Sequence, residues 1–138
     1  MKILEPNSGQ SGVWNDYARA GYSTWPPGME CEVHSHRDAV EFFVFLAGEC
    51  DFITDAETIR VRGGQTVYVE PGEKHKLKAV GDRHLEMFMA ILPNHSPTHT
   101  FYREDGTPVD WDRRAPGSQS DNPRPMGLTR EDLKALGS

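Results

Sequence analysis

The sequence contains few cysteines, few basic residues and no long apolar run. Its 138 residues include two cysteines, Cys31 and Cys50, which are too few for a disulfide scaffold and lack Cys-x-x-Cys spacing. We therefore expect two reduced thiols that pack as small hydrophobic side chains. Lys and Arg number 15 against 21 Asp and Glu, which leaves a net charge of -6 and no basic block to contact phosphates. Nucleic acid is not an expected partner.

Several other signals are missing. No run of about 18 apolar residues indicates a membrane span, and the first ten residues do not resemble a signal peptide, so we expect a cytoplasmic protein without a membrane partner. The sequence also lacks a phosphate-binding glycine loop, a dinucleotide fingerprint and a nucleophile elbow. These absences argue against nucleotide binding and against covalent catalysis by serine or cysteine.

Glycine and proline divide the chain into short segments rich in β-branched and aromatic residues. Thirteen Gly and ten Pro separate these segments, and the length fits one domain. Short strands joined by turns indicate an all-β sandwich or barrel, because parallel βαβ units would need helical crossovers. The predicted strands are Tyr17–Trp25, Met29–His36, Val40–Leu46, Cys50–Thr54, Thr58–Val61, Gln65–Val69, His75–Ala79 and Leu85–Leu92.

The chain changes character after Leu92. Residues 93–125 contain six prolines and little apolar periodicity, which predicts a loop or arm. A short helix is expected over residues 129–136, with Thr129 as its cap, Asp132 in the first turn, Leu128 packed on Leu133 and Gly137 as the stop. We therefore divide the chain into a barrel domain, 1–103, whose core is 17–92, and a C-terminal arm, 104–138.

Three histidines and one glutamate have the spacing of a metal site. His34 and His36 are two apart on a predicted strand, so both side chains can point to one face. The turn at 37–39 then allows Glu41 to enter on the adjoining strand and face the same space. His75 would complete the set if its strand lies beside the others. Four such ligands bind a divalent metal.

The glycines around these residues extend the pattern. Gly28 and Gly48 bracket the first three ligands, and Gly64 precedes a second segment that ends in Pro71, Gly72 and His75. These two segments resemble the two motifs of the cupin superfamily, and the chain is similar to a small single-domain cupin of the conserved-barrel type. The first motif matches at every defining position. In the second, Glu70 and Ala79 replace the usual proline and asparagine, neither of which binds the metal.

The resemblance implies a double-stranded β-helix, or jelly roll, that holds a metal inside one end of the barrel. Carried over position by position, the ligands are His34, His36, Glu41 and His75. Three imidazoles and a carboxylate suit Fe, Mn, Ni, Co or Zn alike, so the sequence leaves the metal open. Four protein ligands leave positions of a six-coordinate ion for water, dioxygen or substrate, as a catalytic site requires.

Several side chains are candidates for the pocket around this metal, although core packing is the more common role of aromatic residues and methionines. Tyr22 and Tyr68 are candidate catalytic residues, because a phenol near a metal can move a proton. Two histidines after the last predicted barrel strand could contact substrate. The candidate pocket residues are Trp25, Phe43, Phe45, Met87, Met89, His95 and His99.

Two predicted strands are apolar on both faces. In Val40–Leu46, Phe43 and Phe45 share the face of Glu41, while Phe42, Val44 and Leu46 fill the opposite face. Leu85–Leu92 has the same character. A strand that is apolar on both sides is expected to be covered on both sides, which predicts a homodimer.

Three functions remain open for this chain. The first is a metal-dependent oxidoreductase of the dioxygenase type, acting on a small organic molecule. The second is an isomerase or lyase in which the metal acts as a Lewis acid. The third is a cupin that binds a small molecule without converting it. The fold alone cannot decide among them.

Overall fold

The computed structural model describes residues 1–113 and 129–135 and is built almost entirely of strands. The elements are β1 Gly12–Trp14, β2 Arg19–Trp25, β3 His34–Ser35, β4 Val40–Ala47, β5 Glu49–Ile53, β6 Thr58–Arg62, β7 Thr66–Val69, β8 Lys76–Val80, β9 Leu85–Leu92, β10 His99–Tyr102, β11 Pro108–Trp111 and α1 Arg130–Ala135. The all-β prediction is confirmed. No helix in the described part of the chain is long and apolar enough to cross a membrane.

The strands form one large sheet and two small ones. The large sheet has the order β1-β2-β9-β4-β7, and the small sheets have the orders β11-β10-β3 and β6-β5-β8. An antiparallel bridge between His34 and His75 links the small sheets, with backbone N–H···O distances of 3.0 and 2.9 Å. The candidate metal ligands therefore lie where the two small sheets join.

The hydrophobic core fills the space between the large sheet and β6-β5-β8. Phe43 of β4 contacts Phe52 of β5 edge-on, with ring centroids 5.4 Å apart. Phe45, Leu85 and Met87 are almost completely buried in the same cluster. Cys31 and Cys50 are both buried free thiols, as predicted, and burial raises their pKa values to about 11 and about 12.

The predicted alternation along β4 is confirmed. Glu41, Phe43 and Phe45 are buried, whereas Phe42 and Leu46 are exposed. Since residues on one face of a strand recur every second position, this alternation places Glu41 in the barrel interior.

The prediction of a loop or arm over 93–125 is wrong for two segments, because β10 and β11 form a hairpin there. The strand β10 also pairs with β3, so this hairpin extends the sheet that carries His34. These pairings join residues far apart in sequence, and the short strands have no periodicity long enough to reveal them. The predicted boundary between barrel and arm, after residue 103, falls in the loop between β10 and β11. That boundary stays a prediction.

The predicted strand Met29–His36 is also wrong over most of its length, because only His34–Ser35 is regular. Backbone bridges pair Glu30 with Lys78 and His34 with His75. Glu30 and His34 are four residues apart, whereas Lys78 and His75 are three apart, so the first segment contains one extra residue. The extra residue interrupts the ladder as a β-bulge does.

The short helix α1 docks on the barrel. Its cap is the predicted one, since the Asp132 amide donates to Thr129 Oγ1 and the Thr129 amide donates to Asp132 Oδ2. Leu133 is buried, and Arg130 pairs with Glu104 at 3.0 Å. The helix is described to Ala135, and the predicted contact of Leu128 and stop at Gly137 lie outside the described residues.

Candidate metal centre

The fold brings the four predicted ligands together in the interior. Their candidate ligand atoms all lie within 4.8 Å of one another, and all four residues are buried. His34 and His36 come from β3 and the residue after it, and His75 immediately precedes β8. Glu41 lies on β4 in the large sheet, so the prediction that it sits on the strand adjoining β3 is wrong. The chain crosses between sheets at 37–39, and Glu41 approaches the histidines from the opposite layer.

Backbone carbonyls orient the three imidazole rings. His34 Nδ1 lies 2.8 Å from Glu32 O, His36 Nδ1 2.8 Å from Thr98 O, and His75 Nδ1 3.0 Å from Glu73 O. A carbonyl oxygen only accepts, so each Nδ1 carries the hydrogen and donates it. Each neutral ring then has its lone pair on Nε2, the tautomer that binds a metal through that nitrogen.

The donor set fits a cation at the centre. His36 Nε2 and His75 Nε2 lie 3.0 and 3.1 Å from Glu41 Oε1. With the hydrogen on Nδ1, the His36 lone pair faces a carboxylate oxygen, and this buried Nε2 has no hydrogen-bond partner. Two facing acceptors require a positive charge between them, either a proton or a metal ion. Three imidazoles and one carboxylate suit a divalent transition metal.

Electrostatic interactions within the cluster separate the pKa values of its members. Burial, with the nearby His75 and His36, lowers the pKa of His34 well below its ordinary value. Burial opposes the charged form of His75 too, but the Glu41 carboxylate outweighs it and raises the pKa of His75. Burial would raise the pKa of Glu41, yet the two imidazoles next to it hold that pKa well below the usual range. The metal-free cluster therefore keeps an ionised carboxylate beside a readily protonated imidazole.

These shifts predict that the metal-free protein loses stability on mild acidification. The pKa values of His34 and His99 are both lowered by burial, so below pH 6.5 the unfolded chain takes up protons that the folded chain does not. The free energy of unfolding then falls as the pH drops below 6.5, by about 1.4 kcal/mol per pH unit for each group. The raised pKa of His75 changes the pH dependence of stability only above pH 6.5. There its contribution to the free energy of unfolding is lost as the pH rises.

Urea unfolding in the presence of a chelator, between pH 5 and 6.5, measures this slope. The His99→Gln variant removes one of the two groups and is expected to show about half of the slope. A free energy of unfolding that does not change with pH in this interval would contradict the burial of two neutral imidazoles.

A cavity of about 580 Å³ opens onto the cluster. His34, His36 and Glu41 line it on one side, and Phe43 and Trp25 contribute apolar wall. A ligand in this space would reach any ion held by the cluster. The volume lies in the range of small-molecule sites.

The two candidate catalytic tyrosines do not reach the cluster. Tyr68 pairs with Phe42 across β7 and β4, is 46% exposed and donates its hydroxyl to Glu70 at 3.3 Å. Tyr22 borders the cavity, but it pairs with Phe88 and their rings lie 5.1 Å apart. Strand alternation puts both tyrosines on the outer face of the large sheet. The prediction that they are catalytic residues is therefore wrong.

The apolar pocket candidates divide into two groups. Trp25, Phe43 and Met89 line the cavity and are also packed in or against the core. Phe45 and Met87 are buried in the core and are not among the cavity-lining residues, so they pack rather than contact a ligand.

The two candidate histidines after β9 have different surroundings. His99 is buried beside the cluster, with its ring 5.0 Å from His36 and stacked on Phe101. Its Nδ1 is hydrogen-bonded to Thr98 Oγ1 at 2.8 Å. His95 is exposed and lies in the loop that precedes β10.

Two arginines that line the cavity were missed by sequence reasoning. Arg19 on β2 is 7% exposed, and Arg113 follows β11. Arg19 shares a face with the buried Trp25, six residues later, and a charged residue on the buried face of a strand is a usable signal. Arg113 has no such signal, because its position depends on the unpredicted hairpin of β10 and β11.

The strand topology defines a double-stranded β-helix with a candidate metal site in its interior, and the comparison with known families agrees with this fold. The Cupin_2 family, described as a cupin domain, matches residues 21–91, which is just over half of the chain. This chain belongs to the cupin family.

Several known proteins are similar to this chain in sequence or in fold. An uncharacterized protein of Methanocaldococcus jannaschii is 28% identical over 99 residues, which is 72% of this chain and 76% of that protein. A double-stranded β-helix protein of Klebsiella pneumoniae is 15% identical, with a TM-score of 0.59, over 67% of this chain and 85% of its own. A predicted oxalate decarboxylase of Thermotoga maritima is 24% identical, with a TM-score of 0.52, over 54% and 65% respectively.

Proposed function

We propose that this cupin is a metal-dependent enzyme that acts on a small organic molecule. The observation that carries the proposal is the convergence of three imidazoles and one carboxylate within 4.8 Å, three of which line a cavity of about 580 Å³. His34, His36, Glu41 and His75 would hold one divalent ion there. Carbonyl-oriented imidazoles and an Nε2 without a partner support metal binding over simple packing.

Within this class, we propose an oxidoreductase of the dioxygenase type. Among the described residues that line the cavity, the sole carboxylate is Glu41, which is already a proposed ligand. Burial also keeps the nearby Cys31 thiol protonated by raising its pKa to about 11. Outside the proposed ligands, His99 is the one imidazole among these described lining residues, so few groups could transfer protons, which favours chemistry centred on the metal. A redox-active ion such as Fe(II) supplies the electron transfer that reaction with dioxygen requires.

The residues around the ion then have distinct tasks. The three imidazoles and Glu41 would hold the ion, and Phe43 and Trp25, which line the cavity, would exclude water from part of a bound substrate. The substrate classes we propose are chelating enols, diols and thiols, because an ion held by four protein ligands would have positions left to bind them. The cavity is large enough to hold such a molecule beside the ion.

Oxygen uptake with a panel of chelating enols, diols and thiols tests this reaction. We expect Fe(II)-loaded wild-type protein to consume oxygen with at least one of them, and His36→Ala and Glu41→Ala to lose that uptake, because each lacks a ligand. The matched control is His84→Ala, which removes an exposed histidine. Uptake that persists unchanged in both ligand variants would refute the proposal.

A second candidate is an isomerase or lyase in which the ion polarises a carbonyl group. His99 favours it, since this buried imidazole lies beside His36 and lines the same cavity, where a neutral ring could accept a proton. Turnover without oxygen that is lost in His99→Gln would distinguish this reaction from the first.

We also propose that the protein is a homodimer through the outer face of the large sheet. Phe42, Leu46, Tyr68 and Leu92 are exposed hydrophobic residues on β4, β7 and β9, which are neighbours in that sheet. A contiguous apolar face of this kind is typical of a surface covered in the assembled protein. The mass of the protein in solution tests this proposal.

A further inference from the structure

The cavity that holds the candidate metal centre also contains an incompletely paired arginine. Arg19 is 7% exposed, so its guanidinium lies in the interior. Its Nη2 donates a long hydrogen bond of 3.4 Å to Thr98 O, and its Nη1 is buried with no partner in the described structure. A buried cationic donor without an acceptor is costly, and such groups are rare without a functional reason.

The immediate surroundings do not neutralise this charge. The Trp14 ring lies under the guanidinium at 5.2 Å, and burial lowers the pKa of Arg19 to about 10. Asp112 acts on Arg19 electrostatically, but its carboxylate oxygens accept hydrogen bonds from Ser96 Oγ and the Thr98 amide. Glu41 is the other acidic influence, and it belongs to the candidate metal centre.

A second arginine lies on the same cavity. Arg113 also lines it, and burial lowers the pKa of its guanidinium. Exposed Lys2 adds a further positive charge, whereas Glu41 is the sole carboxylate among the described lining residues. With a divalent ion bound beside Glu41, the cavity would carry a net positive charge although the protein has a net charge of -6. An anion is the ligand that this arrangement would attract.

We propose that Arg19, assisted by Arg113, forms a carboxylate-binding subsite and that the substrate of this cupin is an organic acid. The inference rests on the proposed function, because the acid would be held by Arg19 while another of its oxygen or sulfur atoms faces the metal. The planar guanidinium can donate to both carboxylate oxygens, which fixes the orientation of the acid as well as its charge. Arg19 Nη1 supplies the donor that the folded chain leaves unused.

Calorimetric titration of the full chain, metal-free and loaded with Co(II), tests the subsite with malonate and succinate as probes. Their diamides, malonamide and succinamide, keep the shape and lack the charge. We expect at least one acid to bind the loaded protein and its diamide to bind at least about tenfold more weakly. We expect Arg19→Gln to reduce the affinity for that acid by a similar factor. The matched control is Arg60→Gln, since Arg60 lies on the β5–β6 hairpin and pairs with Asp51 outside the cavity.

The metal content and melting temperature of each variant separate a binding role from a structural one. Because Arg19 is buried and incompletely paired, Arg19→Gln is expected to keep its Co(II) and to melt no lower than wild type. If Arg19→Gln has a lower melting temperature but binds the acid as tightly as wild type, the role of Arg19 is only structural, through its contacts with Trp14 and Thr98.

The outcomes also distinguish failure of the subsite from failure of the metal centre. Protein that binds Co(II) but shows no binding of either acid at millimolar concentration, or equal binding in Arg19→Gln, overturns the subsite and leaves the metal site intact. Acid binding that depends on Arg19 in a chain that takes up no metal would support the subsite and refute the proposed function.

Discussion

A divalent metal ion is expected to raise the free energy of unfolding of the wild-type chain by about 4 kcal/mol when its free concentration is about 1,000 times its Kd. The folded chain presents four buried donors within 4.8 Å, whereas the unfolded chain holds them apart. Loss of a residue that only supports a metal ligand lowers metal affinity by up to about 100-fold. Because His36→Ala removes a ligand itself, we expect its metal affinity to fall by at least that factor. The metal-dependent stabilisation then falls by about 2.7 kcal/mol.

Urea unfolding with and without Zn(II), at one fixed metal concentration, measures this difference. His84→Ala serves as the matched control, since it removes an exposed imidazole and leaves the four donors in place. Equal stabilisation of wild type and His36→Ala would mean that the added ion binds elsewhere on the chain.

Gly48→Ala is expected to lower the free energy of unfolding by about 2–5 kcal/mol, combining backbone strain with steric overlap. Gly48 has φ of 81°, a conformation that L side chains rarely adopt. A Cβ atom there would lie 2.5 Å from His84 O and 2.8 Å from Leu85 Cα. Both atoms belong to the backbone, so the turn between β4 and β5 or the start of β9 must shift.

The matched control for this prediction is Gly64→Ala. Gly64 has φ of 96°, but a Cβ there meets nothing within 4 Å. Gly64→Ala should therefore lower the free energy of unfolding only by the backbone-strain component, about 1–2 kcal/mol. Equal losses in the two variants would contradict the close approach of Gly48 to β9.

The grouping of three candidate ligands, His34, His36 and Glu41, was predictable because strand periodicity and motif spacing are local properties. His34 and His36 are two residues apart, and the alternation in Val40–Ala47 places Glu41 on the buried face. The bridge between His34 and His75 could be predicted only through the resemblance to a known family, since 41 residues separate the pair in sequence. The sheet that holds Glu41 was mispredicted, because a turn does not indicate which layer the chain enters.

The surroundings of the site depended on long-range pairing and were less predictable. Tyr68 lies on the outer face because of the register between β7 and β4, which the sequence does not specify. His99 reaches the cluster because β10 pairs with β3. Arg113 follows β11, in a segment whose prolines predicted a loop, so its place on the cavity was not foreseeable.

Elemental analysis of natively purified, untagged protein tests the metal centre most directly, with Glu41→Ala purified in parallel. The four buried donors predict one transition-metal ion per wild-type chain and almost none in the variant, which loses the only carboxylate among them. A wild-type chain that carries no transition metal, even after incubation with Fe, Mn, Ni, Co and Zn, would contradict the metal centre. Equal metal content in wild type and Glu41→Ala would contradict it as well.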